Sequence, residues 1–357
     1  MIRVAEIVKQ PLNLPLEGQG YDSGYGLVRQ IDNLLLRLVL DDGTFGIGEV
    51  ARWPYAAPAD YCAEDRALSG LRGVAFTDLP EVVTELARTE NTRAIAAGLD
   101  MAVGDLSARR AGSPLSVMLG GSLQADVPET RSLMPVNAAK LARVISDDGN
   151  TYASIQIKLS RSNSSDITLV RTALEAKAPG QRLMADFNSA LSLAEARSVL
   201  SALSHDDLLW EEPCAAFEDN LTLVREGFPV MLDQCLGTLD HYRRAADAGA
   251  RYLVIKPPPL GGISMAQKAR DICVAAGIMM RIDAPYGGRA SALACLHLAL
   301  SVPPHLLIGC NDPSLPVKCP EAALSRPRPG RLAPPPGPGL GLEPAPPMAA
   351  CFKGDLP

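Results

Sequence analysis

Leu183-Met184-Ala185-Asp186, Leu208-Leu209-Trp210-Glu211, Val230-Met231-Leu232-Asp233 and Leu253-Val254-Ile255-Lys256 are four short apolar runs, each closing on one charged residue. Runs of this length bounded by polar segments read as buried β-strands. The same texture returns at Ser132 to Val136 and Ala153 to Lys158 on one side. On the other side it returns at Met279 to Asp283 and Leu306 to Gly309. Amphipathic segments such as Leu193 to Leu203 and Ile263 to Ala276 lie between the runs. Strands alternating with helices imply parallel pairing through right-handed crossovers. Eight in succession are what a closed (β/α)8 TIM-type barrel requires. The competing architecture, an open doubly wound sheet, would carry a glycine-rich phosphate turn after its first strand, and this chain has none.

The barrel pattern occupies residues 125–322. Before it, residues 1–124 read as an α+β unit. Leu34 to Leu40 and Phe45 to Val50 flank Asp41-Asp42-Gly43-Thr44, a strand, turn, strand signal. From Leu79 to Ala111 the pattern turns helical, with Asn91-Thr92 read as the cap of a run in which Ile95, Leu99, Val103 and Leu106 recur. Residues 323–357 are rich in Pro and Gly. Taken alone they fit a disordered tail and a tail packed over the body equally well.

Composition excludes several classes of function. Lys and Arg number 34 against 40 Asp and Glu, a net charge of −6, and no basic run breaks this balance. With aromatic residues at only 4%, neither a phosphate-tracking face nor a base-stacking platform is expected, so nucleic acid is excluded as a partner. No stretch of 18 apolar residues exists and the start does not read as a signal peptide, so no membrane span is expected and the cytoplasm is the expected compartment. The eight cysteines are scattered without a CxxC pair, which fits reduced thiols rather than a disulfide framework or a zinc site.

Six successive strand ends carry charge: Lys158, Asp186, Glu211, Asp233, Lys256 and Asp283. In a barrel the C-terminal strand ends form one ring at the mouth. Any one of these residues ends a strand unremarkably at solvent, but that does not explain an order of three carboxylates flanked by lysines. Asp186, Glu211 and Asp233 lie 25 and 22 residues apart, one βα unit each. Neighbouring carboxylates repel unless a cation sits between them, and an all-oxygen set favours Mg²⁺, with Mn²⁺ as a substitute. Asn188 either orients its neighbour Asp186 or touches the metal through water. A lysine beside a divalent cation has its pKa lowered, so Lys158 and Lys256 fit an acid/base pair that removes a proton from one face of a substrate and returns one to the other.

These residues resemble the enolase superfamily, in its muconate-lactonising-enzyme/mandelate-racemase branch, over essentially the whole chain. The resemblance is carried by Asp42-Gly43 with Gly46-Ile47-Gly48-Glu49, Ala97-Gly98-Leu99-Asp100-Met101-Ala102 with Asp105-Leu106, and Leu119-Gly120-Gly121. It continues through Gln156-Ile157-Lys158, Asp186-Phe187-Asn188, Glu211-Glu212-Pro213, Leu232-Asp233-Gln234 and Lys256 followed by Leu260-Gly261-Gly262. It implies a capping domain formed by the first third together with the C-terminal tail. It also implies a small-molecule carboxylate substrate chelating Mg²⁺ on Asp186, Glu211 and Asp233, with α-proton abstraction by Lys158 or Lys256 giving a metal-held enediolate. Glu212 is the less favoured ligand of its pair. Two departures stand out: Gln156 where the branch often has Lys, and Gln234 where it commonly has Glu. A symmetric homo-oligomer is expected, without a legible interface.

The Glu211 to Asp219 segment and Asp283-Ala284-Pro285-Tyr286-Gly287-Gly288 are similar to members acting on proline betaines and hydroxyprolines. The leading expectation is therefore racemisation or epimerisation of an amino-acid-like substrate. Dehydration of a β-hydroxy amino acid such as cis-3-hydroxyproline is the alternative, and a non-catalytic metal-stabilised scaffold, suggested by Gln234, is the third reading. Tyr286 is placed either over a substrate ammonium or in the rim packing. Asp283 either bonds a substrate amine or hydroxyl or pairs with Lys256. Tyr55, beside Trp53 and Pro54, is placed on a capping loop over the site or in packing. His297 and His305 are expected to be structural, and the glycines around Tyr21 and Tyr25 suggest a mobile lid.

Overall fold

In a computed structural model the described residues are 1–16, 21–23, 26–52, 60–134, 137–159, 163–284, 287–311 and 324–342. The chain opens on a three-stranded antiparallel sheet in which Val4–Pro15 pairs with Gln30–Leu40, and Gln30–Leu40 with Phe45–Val50. The third strand lies directly on the helix Glu90–Arg110, and two glycines permit the approach. A Cβ on Gly46 or Gly48 would collide with the carbonyls of Ala102 and Gly98. Leu36, Leu38, Leu40, Val50, Ile95, Leu99 and Leu106 fill the resulting core.

The helical stretch expected over residues 79–111 is two helices, Leu79–Ala87 and Glu90–Arg110. Thr89 is extended at the break, and the second helix starts one residue before the expected Asn91-Thr92 cap. The Thr92 hydroxyl instead donates back to the carbonyls of Leu86 at 2.6 Å and Thr89 at 3.2 Å, which holds the corner. A threonine hydroxyl can satisfy either end of such a break, and pattern alone does not say which.

Eight parallel strands follow in chain order: Thr130–Leu133, Ser154–Lys158, Arg182–Asp186, Leu208–Glu211, Val230–Leu232, Tyr252–Ile255, Met279–Ile282 and Leu307–Cys310. A parallel bridge between Glu129 and Cys310 brings the last strand back to the first, so the sheet closes as a TIM-type barrel beneath an N-terminal cap. The first strand lies two to three residues before the expected Ser132 to Val136. Its register is set by Thr130 against Ser154, whose hydroxyls lie 3.0 Å apart, and its polar content hides it from a hydrophobicity reading.

Strand alternation divides the barrel into two faces. Ile155, Ile157, Leu183, Ala185, Leu208, Trp210, Val230, Leu232, Leu253, Ile255 and Ile282 belong to the core shared with the helices. Met184, Leu209, Met231, Val254 and Ile308 form a separate interior cluster. Each of the first four stands two residues before a charged strand-end residue, so that layer lies directly beneath the mouth.

The tail is packed onto the body as far as it is described. Arg331–Ala333 pairs with Val127–Pro128 and with Ser325–Arg328 at the barrel's N-terminal end. Further on, Leu340 N donates to Asp105 of the cap helix at 2.6 Å, and Leu115 N to Gly339 O at 2.8 Å. Leu332 and Leu340 are fully buried.

Candidate active site

The charged ring occupies one end of the barrel. Lys158, Asp186 and Glu211 are the final residues of the second, third and fourth strands, and Lys158, Asp186 and Glu211 stand opposite one another in register. Asp233, Lys256 and Asp283 are the first residues past the fifth, sixth and seventh. Asp186 and Glu211 have no exposed surface and Asp233 only 4%. The lysine side chains are more open, 16% for Lys158 and 12% for Lys256. In an eight-stranded barrel the second and sixth strands are half a turn apart, so the lysines face one another across the mouth with the carboxylate row between them.

Each carboxylate of the row faces a cation. Lys158 Nζ donates to Asp186 Oδ2, and Lys256 Nζ to Asp233 Oδ2 at 2.6 Å. Arg281 donates to both oxygens of Glu211, at 2.8 and 2.7 Å, and also to Asp283, from Nε at 2.9 Å and from Nη2 at 2.7 Å. Gln156 reaches up from the layer below: its Nε2 lies 3.1 Å from Asp186 Oδ2 and 2.9 and 2.8 Å from the two Glu211 oxygens. Asn188 holds Asp186 through its backbone N–H at 2.7 Å and its side-chain amide at 3.1 Å.

The electrostatics follow from burial and these pairs. Burial and the neighbouring Glu211 push the Asp186 carboxyl up, against the pull of Lys158. Glu211 is also buried, but Arg281 more than offsets this and holds it below the usual carboxylate range. Burial raises Asp233 too, opposed by Lys256. Glu212 points away from this row: it accepts from Cys235 N at 2.6 Å, and burial together with Asp233 raises it. Among the described residues, Asn188, Ser189 and Glu212 are the non-glycine residues at positive φ, and all three border the row. Such backbone strain collects where a site over-determines its geometry.

Three buried carboxylates on adjacent strand ends, with no sulfur or imidazole, are a donor set suited to a hard divalent cation. Among the described residues no three acidic, His or Cys side chains already converge as a metal cluster. Lys158, Arg281 and Lys256 each pair with one acid of the row. After burial, the neighbouring charges of Glu211 and Asp233 also push the Asp186 carboxyl up, as expected of three acids crowded at one end of a barrel.

Several expected residues stand elsewhere. Asp283 pairs with Arg281, while Lys256 is committed to Asp233, so the expected alternative of an Asp283–Lys256 bridge is corrected. Tyr55, Trp53 and Pro54 lie outside the described residues, as does Tyr286. Of the expected glycine-rich lid, Tyr21–Ser23 and Gly26–Val28 pair as a short hairpin and the rest lies outside them. Gln234 presents its backbone N–H to Glu212. His297 is fully buried and accepts from Ser116 N at 3.3 Å. The six described cysteines are free thiols, and no described helix is long and apolar enough to cross a membrane. Arg281 was not anticipated, although a lone arginine inside the apolar run Met279 to Ile282, two residues before Asp283, was a readable signal.

A barrel of this topology, with acids on strands three to five flanked by lysines on two and six, defines an enolase-type protein. A family model described as "Enolase C-terminal domain-like" matches residues 137–348, and the chain belongs to the enolase superfamily, in its mandelate-racemase/muconate-lactonising branch. It is 28% identical to a cis-3-hydroxy-L-proline dehydratase of Roseibium aggregatum, over 93% of this chain and 94% of the relative. It is 31% identical to an N-succinylamino acid racemase of Thermus thermophilus, over 81% and 80%. An enolase-superfamily member from Roseovarius nubinhibens, solved in complex with magnesium, superposes with a TM-score of 0.86 at 26% identity over 97% of both chains.

Proposed function

We propose that the protein abstracts the α-proton of a small carboxylate substrate and returns a proton to the other face, as a racemase or epimerase of an amino-acid-like compound. The observation that carries this reading is the placement of Lys158 and Lys256 half a barrel turn apart, both partly open, on either side of a buried carboxylate row. One lysine takes the proton while the other, still charged, gives one up from the opposite side. The covered walls at Asp186, Glu211 and Asp233 keep water from competing for that proton.

Asp186, Glu211 and Asp233 would hold the divalent cation, Mg²⁺ by the donor chemistry and by the magnesium complex of the structural relative. A cation bound there supplies positive charge where the substrate carboxylate gains negative charge as the proton leaves. Asn188 and Gln156 fix the orientation of Asp186 and Glu211, and Lys158 and Lys256 are the partly open cations that would face the substrate. A hydroxyproline or proline betaine fits the expected substrate class, and the N-succinylamino acid racemase relative widens it to N-acylated amino acids.

A second reading, loss of a β-hydroxyl after the same proton abstraction, is favoured by the near full-length similarity to a cis-3-hydroxy-L-proline dehydratase. One experiment separates the two. Proton NMR in D₂O with Mg²⁺, over proline derivatives, betaines, N-succinylamino acids and dipeptides, shows deuterium at Cα of recovered substrate and epimer for the first reading. Loss of water with a keto or imino product marks the second, and no exchange on any member of the panel removes both.

A further inference from the structure

The cap contributes one buried carboxylate to the barrel's catalytic end. Glu49 is the penultimate residue of the third cap strand and has 1% exposure. Its Oε1 accepts from Gly288 N at 2.6 Å and from Asn33 Nδ2 at 2.7 Å, and its Oε2 from Ser291 N at 3.0 Å. Gly288 and Ser291 open the helix Arg289–Leu300, which has no side-chain cap of its own. The carboxylate thus takes the place of an N-cap residue from 239 positions away, where the helix dipole favours negative charge.

Two further observations tie this contact to the site. Gly288 is pinched between cap and barrel: a Cβ there would lie 3.0 Å from Leu12, 3.1 Å from Leu14 and 3.2 Å from Glu49 itself. From the same helix, Cys295 Sγ donates to the carbonyl of Asp283 at 3.3 Å. Asp283 is bound by Arg281, and Arg281 by Glu211. On the cap side the contact is braced by Asn33, whose Oδ1 accepts from Arg52 N at 2.9 Å, and Arg52 is paired with Glu64.

We propose that Glu49 is a positioning residue that docks the cap on the start of helix Arg289–Leu300 and so sets the Asp283 edge of the site. It acts through Gly288, Ser291 and Cys295 rather than by touching substrate. Only the kinetic arm of its test rests on the proton-transfer reading.

Amide hydrogen exchange is read at Gly288 and Ser291 in the full-length protein, in Glu49→Ala and in Glu49→Gln. Alanine removes both acceptors and should speed both amides on the order of ten-fold or more. Glutamine keeps one carbonyl oxygen for Gly288 and should speed Ser291 alone, a pattern that general loosening would not give. On a substrate found by the exchange panel, Glu49→Ala should raise KM about ten-fold, with kcat far less affected and Mg²⁺ affinity unchanged. Unchanged amide exchange overturns the proposal. So does a fall in Tm with KM unmoved, which would leave Glu49 a plain packing contact. If the native protein exchanges no α-proton on the panel, the functional reading fails, and the residue-resolved amide pattern still decides the docking role.

Discussion

Arg281 grips Glu211 through two parallel hydrogen bonds, Nη1 to Oε2 at 2.8 Å and Nη2 to Oε1 at 2.7 Å, with neither side chain exposed beyond 1%. The same guanidinium holds Asp283, so one buried cation serves two buried anions. An arginine is suited to this because its planar fork matches both carboxylates and its charge cannot be lost. It also stands in a layer of the barrel that is otherwise largely apolar, beside Met184.

Removing Arg281 leaves the buried Glu211 and Asp283 without their cation, with only the Gln156 amide still donating to Glu211. Arg281→Met should therefore cost about 3–5 kcal/mol of stability, the usual consequence of breaking a buried ion pair from one side. Added Mg²⁺ should recover part of this, because a cation on the row would again neutralise Glu211. Thermal melts of variant and native protein with and without Mg²⁺ test the point. A larger Mg²⁺-induced rise in the variant is expected, and equal rises would show that Glu211 does not share its charge with the metal.

Asp233→Asn removes one of three charges that offset the dehydration of a divalent cation. Mg²⁺ affinity should fall on the order of ten-fold or more by calorimetry, since ligand charge count sets affinity in such sites. Unchanged affinity would place the third ligand elsewhere, with Glu212 first, because it lies beside Asp233 and holds the backbone of Cys235.

The ring at the mouth was legible because apolar runs such as Leu208-Leu209-Trp210 stop abruptly on a charged residue, and topology alone brings successive strand ends together. The first strand was harder to see. Thr130 and Ser132 are polar because they hydrogen-bond to Ser154 and Gln156, not because they face solvent. Glu49 was visible as part of a glycine-rich hairpin motif, but its partners Gly288 and Ser291 lie in the opposite half of the chain, and no local pattern connects them. Arg281 was missed for a related reason: its role depends on Glu211, three strands away around the barrel. Local periodicity reveals which residues share an end of the barrel, and charge pairing across it requires the closed structure.

His297 gives stability a pH dependence of known sign. Burial lowers its pKa from 6.5 to about 4 in the folded chain, and its Nδ1 accepts from Ser116 N, which requires the neutral ring. The unfolded chain therefore binds the extra proton first as pH falls. The contribution is fully present above pH 6.5 and is lost progressively between pH 6.5 and 4, reaching roughly 3 kcal/mol at the lower end. Denaturant unfolding at pH 7 and pH 4.5 should show a smaller loss for His297→Leu than for the native protein. Equal losses would mean that carboxylates alone carry the acid sensitivity.

The lysine pair tests the chemistry most directly. Lys158 and Lys256 stand on opposite sides of the mouth, each bound to a different acid of the row, so each can serve one stereochemical half of a two-face proton transfer. Replacing either with alanine removes one general acid/base, an effect of roughly 10²–10⁴-fold on turnover. Both variants also expose an acid, Asp186 or Asp233, that has lost its cation, so Mg²⁺ binding should persist or tighten, and calorimetry checks that the site is intact. Lys158→Ala and Lys256→Ala should then lose racemisation to a similar extent. Each should still exchange the α-proton of the one enantiomer that faces its surviving lysine, and the two should prefer opposite enantiomers in D₂O. A dehydratase would break this symmetry, because one lysine would abolish proton removal while the other affected only departure of the hydroxyl. Full turnover in either variant with Mg²⁺ bound would overturn the two-lysine mechanism. Asp283 would not be a ready substitute base, because Arg281 already holds its carboxylate.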